Sequence, residues 1–241
     1  MSISKAPICV QCGKPMKKVI YGMPAGNDLD FDKYIYAGCI MDENMKQWDC
    51  LCALHEDEDE EAPAVEFQIV VADITSLEVD AIVNAANPQL LRGSGVCGAI
   101  FAAAGPGLDA ECRERYPHGI EPGQAVITGG HKSKAKWIVH AVAPRANGDG
   151  FGDHVKLSNA YRNAILAADE AGAASIAIPS LGTGIYGWSV ERAAPYVLND
   201  GIFSTFSSLR NIRKVILCCF TDADADVFRV KVSGLRTGSE F

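Results

Sequence analysis

Two stretches decide the fold: Asp80-Ala-Ile-Val-Asn-Ala-Ala-Asn87 and, within ten residues of it, Gly93-Ser-Gly-Val-Cys-Gly98. The first contains the short apolar residues Ala81–Val83, which are typical of a parallel strand that is covered on both faces. Asn84 and Asn87 follow, and their amides carry donors and acceptors that suit the hydroxyl groups of a sugar. The stretch therefore predicts a buried strand that ends at a polar site.

The second stretch is a glycine-rich turn. Gly93, Gly95 and Gly98 permit backbone angles and close approaches that other residues do not. Val96–Ala104 is predicted to form a helix, and the free N–H groups of its first turn would face a phosphate. Strand, amides and glycine turn together indicate a site for a nucleotide diphosphate.

A second glycine loop strengthens this interpretation, because a single short glycine match is more often an ordinary turn. The apolar segment Ser175–Pro179 ends in Ser180-Leu-Gly-Thr-Gly-Ile-Tyr-Gly187. Thr183 offers a hydroxyl donor, and the ring of Tyr186 could cover a ribose. Two such loops at the carboxyl ends of strands in one sheet fit the rule that open α/β sheets bind their ligands there.

The remaining pattern alternates strands with helices, which predicts an α/β fold with a mixed sheet. The predicted strands are Phe67–Ala72, Ala81–Asn84, Ala125–Thr128, Ile138–Ala143, Ser175–Pro179 and Lys214–Phe220. The predicted helices are Val96–Ala104, Leu108–Arg115, Val155–Ala171 and Val190–Phe206.

Six blocks stand in order along the chain: Val71–Thr75, Asn84–Asn87, Gly93–Gly98, Gly123–Thr128, Ile138–Val142 and Gly182–Gly187. Together they resemble a macrodomain, and the resemblance covers residues 65–232. It implies a three-layer α/β/α sandwich whose ligand is ADP-ribose, free or attached to a protein, a nucleic acid or an acetyl group. Some members of that family bind this ligand, and others hydrolyse the bond at its distal ribose.

The resemblance also implies roles for individual residues. Asp73 and Ile74 would hold the adenine, with Phe220 as a stacking residue, and Asn87 would hold the distal ribose. Asn84 is included as a second ligand-binding amide. The two loops around the diphosphate and distal ribose would contribute Gly93, Gly95, Val96 and Cys97 from one side and Ser180, Gly182, Thr183, Gly184, Ile185 and Tyr186 from the other. Asn87 and Cys97 are the candidate catalytic residues.

Three residues depart from the family pattern. Ala72 replaces a glycine, Cys97 stands where many hydrolases have an aspartate, and Phe101 stands where they have a histidine. Cys97 could be a thiolate stabilised by the helix N-terminus, or a small residue that fits a crowded loop. Two functions follow: a hydrolase of mono-ADP-ribosylated protein or O-acetyl-ADP-ribose, or a reader module that binds ADP-ribose without turnover.

The amino-terminal segment carries a separate pattern, because five of the nine cysteines lie before residue 53. Such a short segment with few apolar residues needs a metal or disulfides to fold. The spacing resembles a zinc ribbon, so structural Zn²⁺ is expected. The expected ligands are Cys9, Cys12, Cys50 and Cys52, with Cys39 or His55 as substitutes because Cys50-Leu-Cys52 is one residue short of Cys-x-x-Cys.

Two other uses of these cysteines are less favoured. A redox Cys-x-x-Cys would open a helix, whereas Gly13-Lys-Pro15 indicates a turn. Disulfides require a secretory route, and residues 1–7 lack the apolar core of a signal peptide. Reduced thiols and a cytoplasmic location are therefore expected.

Charge and composition divide the chain. The net charge of −8 comes mostly from Glu56–Glu61, whose six acids leave about −2 elsewhere when removed. The predicted parts are a zinc-ribbon-like domain (1–55), an acidic linker (56–64), a macrodomain (65–232) and a disordered tail (233–241). No basic patch favours nucleic acid as a partner, and no segment has the length and apolarity of a membrane span.

Several conspicuous residues are predicted to be packing residues. His140 lies within an apolar strand and is expected to be a core histidine. Cys112 lies on a predicted helix, and Cys218 and Cys219 are adjacent in a strand, where successive side chains point to opposite faces and do not form a disulfide.

Overall fold

The computed structural model describes residues 17–21, 34–37, 48–49 and 65–237. The chain divides into two units, residues 1–63 and residues 64–241.

The described part of the first unit is a small sheet. It contains β1 (Lys17–Tyr21), β2 (Tyr34–Ala37) and β3 (Trp48–Asp49), with β2 parallel and β3 antiparallel to β1. The acidic run and all six candidate zinc ligands, Cys9, Cys12, Cys39, Cys50, Cys52 and His55, lie outside the described residues. Within the described residues, no group of three or more His, Cys, Asp or Glu side chains could hold a metal ion.

The second unit is built on a six-stranded sheet in the order β4-β9-β8-β5-β7-β6. All neighbours are parallel except β6, which runs antiparallel to β7 at one edge. The mixed sheet predicted from the sequence is thus confirmed. The strands are β4 (Glu66–Val71), β5 (Ala81–Ala85), β6 (Ala125–Gly129), β7 (Trp137–Ala141), β8 (Ser175–Pro179) and β9 (Lys214–Cys219).

Helices cover both faces of this sheet. They are α1 (Gly95–Ala104), α2 (Pro106–Arg115), α3 (His154–Glu170), α4 (Val190–Tyr196) and α5 (Asp222–Thr237). A 3-10 turn, Ile74–Ser76, follows β4, and a π turn and a second 3-10 segment, Val197–Ile202 and Phe203–Ser208, follow α4.

The alternation of side chains along β5 separates two cores. Ala81 and Val83 pack with buried residues of α3, α4 and α5, whereas Ile82 packs with those of α1 and α2. A sheet with a helical layer on each face is the three-layer α/β/α arrangement expected from the sequence.

The carboxyl-terminal half differs from the predictions at two places. The single helix predicted for Val190–Phe206 is α-helical only as far as Tyr196 and continues as the π turn and the 3-10 segment. Pro195, near this change, lacks the N–H of a regular helical residue. Helix α5 was not predicted from the sequence, and its Ala225 and Phe228 are fully buried against the core. Since α5 continues to Thr237, the first residues of the predicted disordered tail, 233–241, are helical, and residues 238–241 lie outside the described part.

Among the described helices, none combines the length and apolar character that crossing a membrane requires.

Candidate functional site

A cleft opens at the carboxyl ends of three neighbouring strands, β5, β7 and β8. Small residues at the ends of β5 and β7 form its floor, and the two glycine loops form its walls. Its lining residues are Ala85, Ala86, Asn87, Gly93, Ser94, Gly95, Val96, Cys97, Ala141, Ala143, Ser180, Leu181, Gly182, Gly184, Ile185 and Tyr186. The two loops that the sequence singled out therefore meet at one site.

Asn87 shapes the first loop as well as facing the cleft. Its Nδ2 donates to the carbonyl oxygen of Leu91 at 2.6 Å, and its Oδ1 accepts from the Leu91 N–H at 3.1 Å. Leu90 between them has a positive φ of 56°, which a bulky residue adopts only when its surroundings enforce it. A carboxamide has two donors and two acceptor positions, so Asn87 keeps one of each for a ligand.

The first turn of α1 provides backbone donors. Its N-cap residue, Ser94, makes no side-chain capping bond. The N–H groups of Gly95, Val96 and Cys97 belong to this turn and have no partner within the helix, which makes them suitable for an anion. Gly98 allows the loop to fold tightly, because a Cβ there would lie 2.7 Å from the carbonyl oxygen of Gly93.

The second loop is held by hydrogen bonds within it and by one from Trp188, just after it, to the segment that follows β7. The Thr183 hydroxyl donates to the Ser180 carbonyl at 2.9 Å, and Trp188 Nε1 donates to the Pro144 carbonyl at 2.8 Å. Gly182 has a φ of 83°, and a Cβ there would lie 2.7 Å from Trp188 Cδ1. Thr183 itself lies outside the cleft lining, and its role as a ligand donor stays a prediction.

Cys97 lies in the cleft wall and is only 5% exposed. Burial raises the pKa of its thiol, although the backbone of Gly93 and the side chain of Asn84 act in the opposite direction. The thiol is therefore protonated at neutral pH. Among the described residues that line the cleft, none is an aspartate, glutamate or histidine.

Asn84, predicted to bind the ligand, is fully buried and does not line the cleft. Strand alternation turns its side chain under α1, where its Nδ2 lies 3.1 Å from His140 Nδ1. The other ring nitrogen lies 2.9 Å from the Thr128 hydroxyl, and burial lowers the pKa of His140 to about 4. The core histidine predicted from the sequence is confirmed, and Asn84 belongs to its network.

The predicted adenine residues lie outside the cleft lining, beside the neighbouring strands β4 and β9. The register pairs Val71 with Cys219, the last residues of β4 and β9. Asp73 and Phe220 follow them and therefore lie at the same carboxyl end of the two strands. Asp73 Oδ1 accepts from the N–H and the hydroxyl of Thr75, which lowers the pKa of the carboxyl group. Ile74 is buried, whereas Phe220 is 91% exposed and has a free ring face.

The residues of the cleft floor were not predicted from the sequence. Ala85, Ala86, Ala141 and Ala143 make the space there, and none carries a reactive group. The one available signal was the run of small residues at the ends of two strands that are otherwise rich in isoleucine and valine.

Comparison with known proteins places this site in a family. The macro domain family model matches residues 83–197. A macro domain-containing protein of Chlorobaculum tepidum is 46% identical over 66% of this chain and 91% of its own length. An O-acetyl-ADP-ribose deacetylase of Klebsiella pneumoniae is 38% identical over 69% of this chain and 95% of its own.

Two further matches name ADP-ribose. A human ADP-ribose glycohydrolase, MACROD2, is 41% identical over 67% of this chain and 38% of its own length. The structure of a Trypanosoma brucei macrodomain in complex with ADP-ribose matches with a TM-score of 0.63 and 28% identity, covering 69% of this chain and 68% of that one. With the family model, the extensive identity and the common fold in agreement, this chain belongs to the macrodomain family.

Proposed function

We propose that the cleft binds ADP-ribose. The observation that carries this proposal is the convergence of two glycine loops, 93–97 and 180–186, on one cleft that also contains the Asn87 amide. The amides of the first turn of α1 suit the diphosphate, and Asn87 suits the hydroxyl groups of the distal ribose. The relatives named for ADP-ribose support the same ligand.

The protein then hydrolyses mono-ADP-ribosyl adducts or O-acetyl-ADP-ribose at the distal ribose, as the names of its relatives suggest. Asn87 orients the ribose, and a water molecule attacks beside it. The water oxygen forms its new bond as the bond between the ribose and the adduct breaks, and the leaving group finally receives the proton that the water loses. The described cleft lining offers no carboxylate or imidazole that could take the proton of this water. A phosphate oxygen of the bound substrate is the simplest acceptor, so the loops contribute mainly by positioning.

The second candidate is a reader that binds ADP-ribose without turnover. It is favoured by two residues at positions where many hydrolases of the family have an acid and a histidine. The pKa of Cys97 is raised by burial, and Phe101 is a buried apolar residue of α1. An ADP-ribosylated protein is then the partner rather than the substrate.

Turnover separates the two candidates. The wild-type chain is incubated with a panel of mono-ADP-ribosylated proteins and with O-acetyl-ADP-ribose, and the released ADP-ribose is measured. We expect release by the wild type and a loss of about 10²-fold in Asn87→Ala, because misplacing the reacting groups by about 1 Å costs that much. Asn199→Ala, an exposed asparagine outside the cleft lining, is the matched control and should behave as the wild type.

Cys97→Ala identifies the source of the attacking water. Activity that persists in this variant supports a water held by the substrate or the backbone. Loss of activity with retained ADP-ribose binding makes Cys97 the replacement for the missing aspartate. A panel that shows no release by the wild type excludes the hydrolase and leaves the reader.

The amino-terminal cysteines support a further proposal. Cys9, Cys12, Cys50 and Cys52 hold a structural zinc ion, with Cys39 or His55 as the alternative fourth ligand. The zinc unit serves for docking or stability, since none of the proposed ADP-ribose contacts lies in it. A cytoplasmic location, where these thiols stay reduced, remains a prediction.

A further inference from the structure

Arg145 contacts an aromatic residue of the cleft wall. Its guanidinium carbon lies 4.6 Å from the centre of the Tyr186 ring. Tyr186 is half-buried and lines the cleft, whereas Arg145 is exposed and does not. A guanidinium at this distance over a tyrosine ring is a cation–π contact. The contact therefore acts on the cleft through Tyr186.

The backbone around this contact is fixed on both sides. The N–H of Ala146 donates to the carbonyl oxygen of Tyr186 at 2.8 Å, and the Trp188 indole donates to the carbonyl of Pro144 at 2.8 Å. Arg145 thus sits between two residues that are bonded to the second glycine loop. The contact joins segment 144–146, which follows β7, to the wall formed by segment 186–188.

The Tyr186 side chain packs in part against the core, but its hydroxyl end has no polar restraint among the described residues. Within residues 65–233, no hydrogen bond to its hydroxyl group is formed. In the same range, no carboxylate forms an ion pair with Arg145. The guanidinium is therefore available to the ring. Its contact with the ring face restricts rotation of the Tyr186 side chain, which the fixed backbone alone does not.

We infer that Arg145 is a positioning residue that holds the Tyr186 ring over the distal ribose of the bound ligand. This inference rests on the proposed function, because it assigns that end of the cleft to the ribose beside Asn87. Orienting the ring before the ligand arrives reduces the side-chain entropy that binding would otherwise cost. If Arg145 works through the ring, its loss should weaken binding only of ligands that contain the distal ribose.

A pair of ligands tests this selectivity. ADP-ribose contains the distal ribose, and ADP ends at the diphosphate. Binding of both is measured by calorimetry on the full chain for the wild type, Arg145→Gln and Arg145→Lys. We expect Arg145→Gln to weaken ADP-ribose by about two- to fivefold, the size of an exposed cation–π contact, and to leave ADP unchanged. Arg145→Lys keeps a cation and should recover part of the loss.

Tyr186→Leu completes the test as a double-mutant cycle. If Arg145 works through the ring, Arg145→Gln has no further effect on ADP-ribose binding in the Tyr186→Leu background. Lys136→Gln is the matched control, since Lys136 Nζ lies 5.3 Å from the centre of the Trp137 ring in a cation–π pair outside the cleft lining. That variant should bind both ligands as the wild type does.

Two outcomes would overturn the inference. An equal loss for ADP and ADP-ribose in Arg145→Gln would mean that the guanidinium binds the diphosphate directly. An undiminished effect of Arg145→Gln in Tyr186→Leu would mean that the ring is not involved. Failure of the wild type to bind ADP-ribose is a separate result, and it would count against the proposed function itself.

Discussion

Replacing Gly98 with alanine tests whether the first glycine loop is built for close packing. Gly98 lies in the first turn of α1, directly after the loop residues 93–97 that face the cleft. The added Cβ would lie 2.7 Å from the carbonyl oxygen of Gly93, which also lines the cleft. Real Cβ atoms do not approach backbone oxygens this closely, so one of the two segments must move.

The size of the effect follows from two opposing contributions. Ordinary contact begins near 3.4 Å, so the Gly93 carbonyl must retreat by about 0.7 Å. Overpacking of this kind costs about 1–3 kcal/mol, whereas alanine in a helix gains about 1 kcal/mol over glycine. We therefore expect the free energy of unfolding to fall by up to about 2 kcal/mol. Displacing a loop that binds the diphosphate should also weaken ADP-ribose binding about tenfold, the cost of one charge-assisted hydrogen bond.

Urea denaturation and calorimetric titration with ADP-ribose measure the two effects. Gly148→Ala is the control, because a Cβ at Gly148 meets nothing within 4 Å and Gly148 does not line the cleft. Unchanged stability and affinity in Gly98→Ala would refute the close-packing argument. An equal loss in both variants would point to a general effect of alanine rather than to the Gly93 contact.

Three further predictions follow. Asp73→Ala should weaken ADP-ribose binding by about 1–3 kcal/mol, and unchanged affinity by calorimetry would remove Asp73 from the adenine site. Burial lowers the pKa of His140 from 6.5 to about 4, so the unfolded chain takes up a proton first as the pH falls. This contribution to stability is complete above about pH 6.5 and is lost towards pH 4, by about 2 kcal/mol at pH 5. The unfolding free energy, measured by urea denaturation at a series of pH values, should therefore depend less steeply on pH in His140→Gln than in the wild type. An equal pH dependence in the two proteins would contradict the assignment. The purified chain should carry about one zinc ion, and metal analysis that finds none would exclude the zinc-ribbon proposal.

The sequence predicted the strands and the cleft loops well because their signals are local. The apolar run at Ala81–Val83 needs burial on both faces, and Gly98 and Gly182 stand where a side chain would collide. The helix at Asp222–Thr237 was missed because it opens with alternating aspartates, and its packing through Phe228 depends on the tertiary structure.

The orientation of individual side chains could not be predicted from the sequence. Asn84 and Asn87 are alike in sequence pattern, yet Asn84 lies within β5 and is buried beside His140, whereas Asn87 follows the end of β5 and lines the cleft. Thr183 turns inward to the Ser180 carbonyl. The contact of Arg145 with Tyr186 joins segments 41 residues apart, and no local pattern in the sequence indicates it.

Calorimetric titration of the full chain with ADP-ribose tests the central claim most directly. The account predicts one binding site per chain, for which ADP competes, since both ligands place a diphosphate against the first turn of α1. Absence of binding at ADP-ribose concentrations up to about 1 mM, in a protein shown to be folded, would contradict the assignment of the cleft.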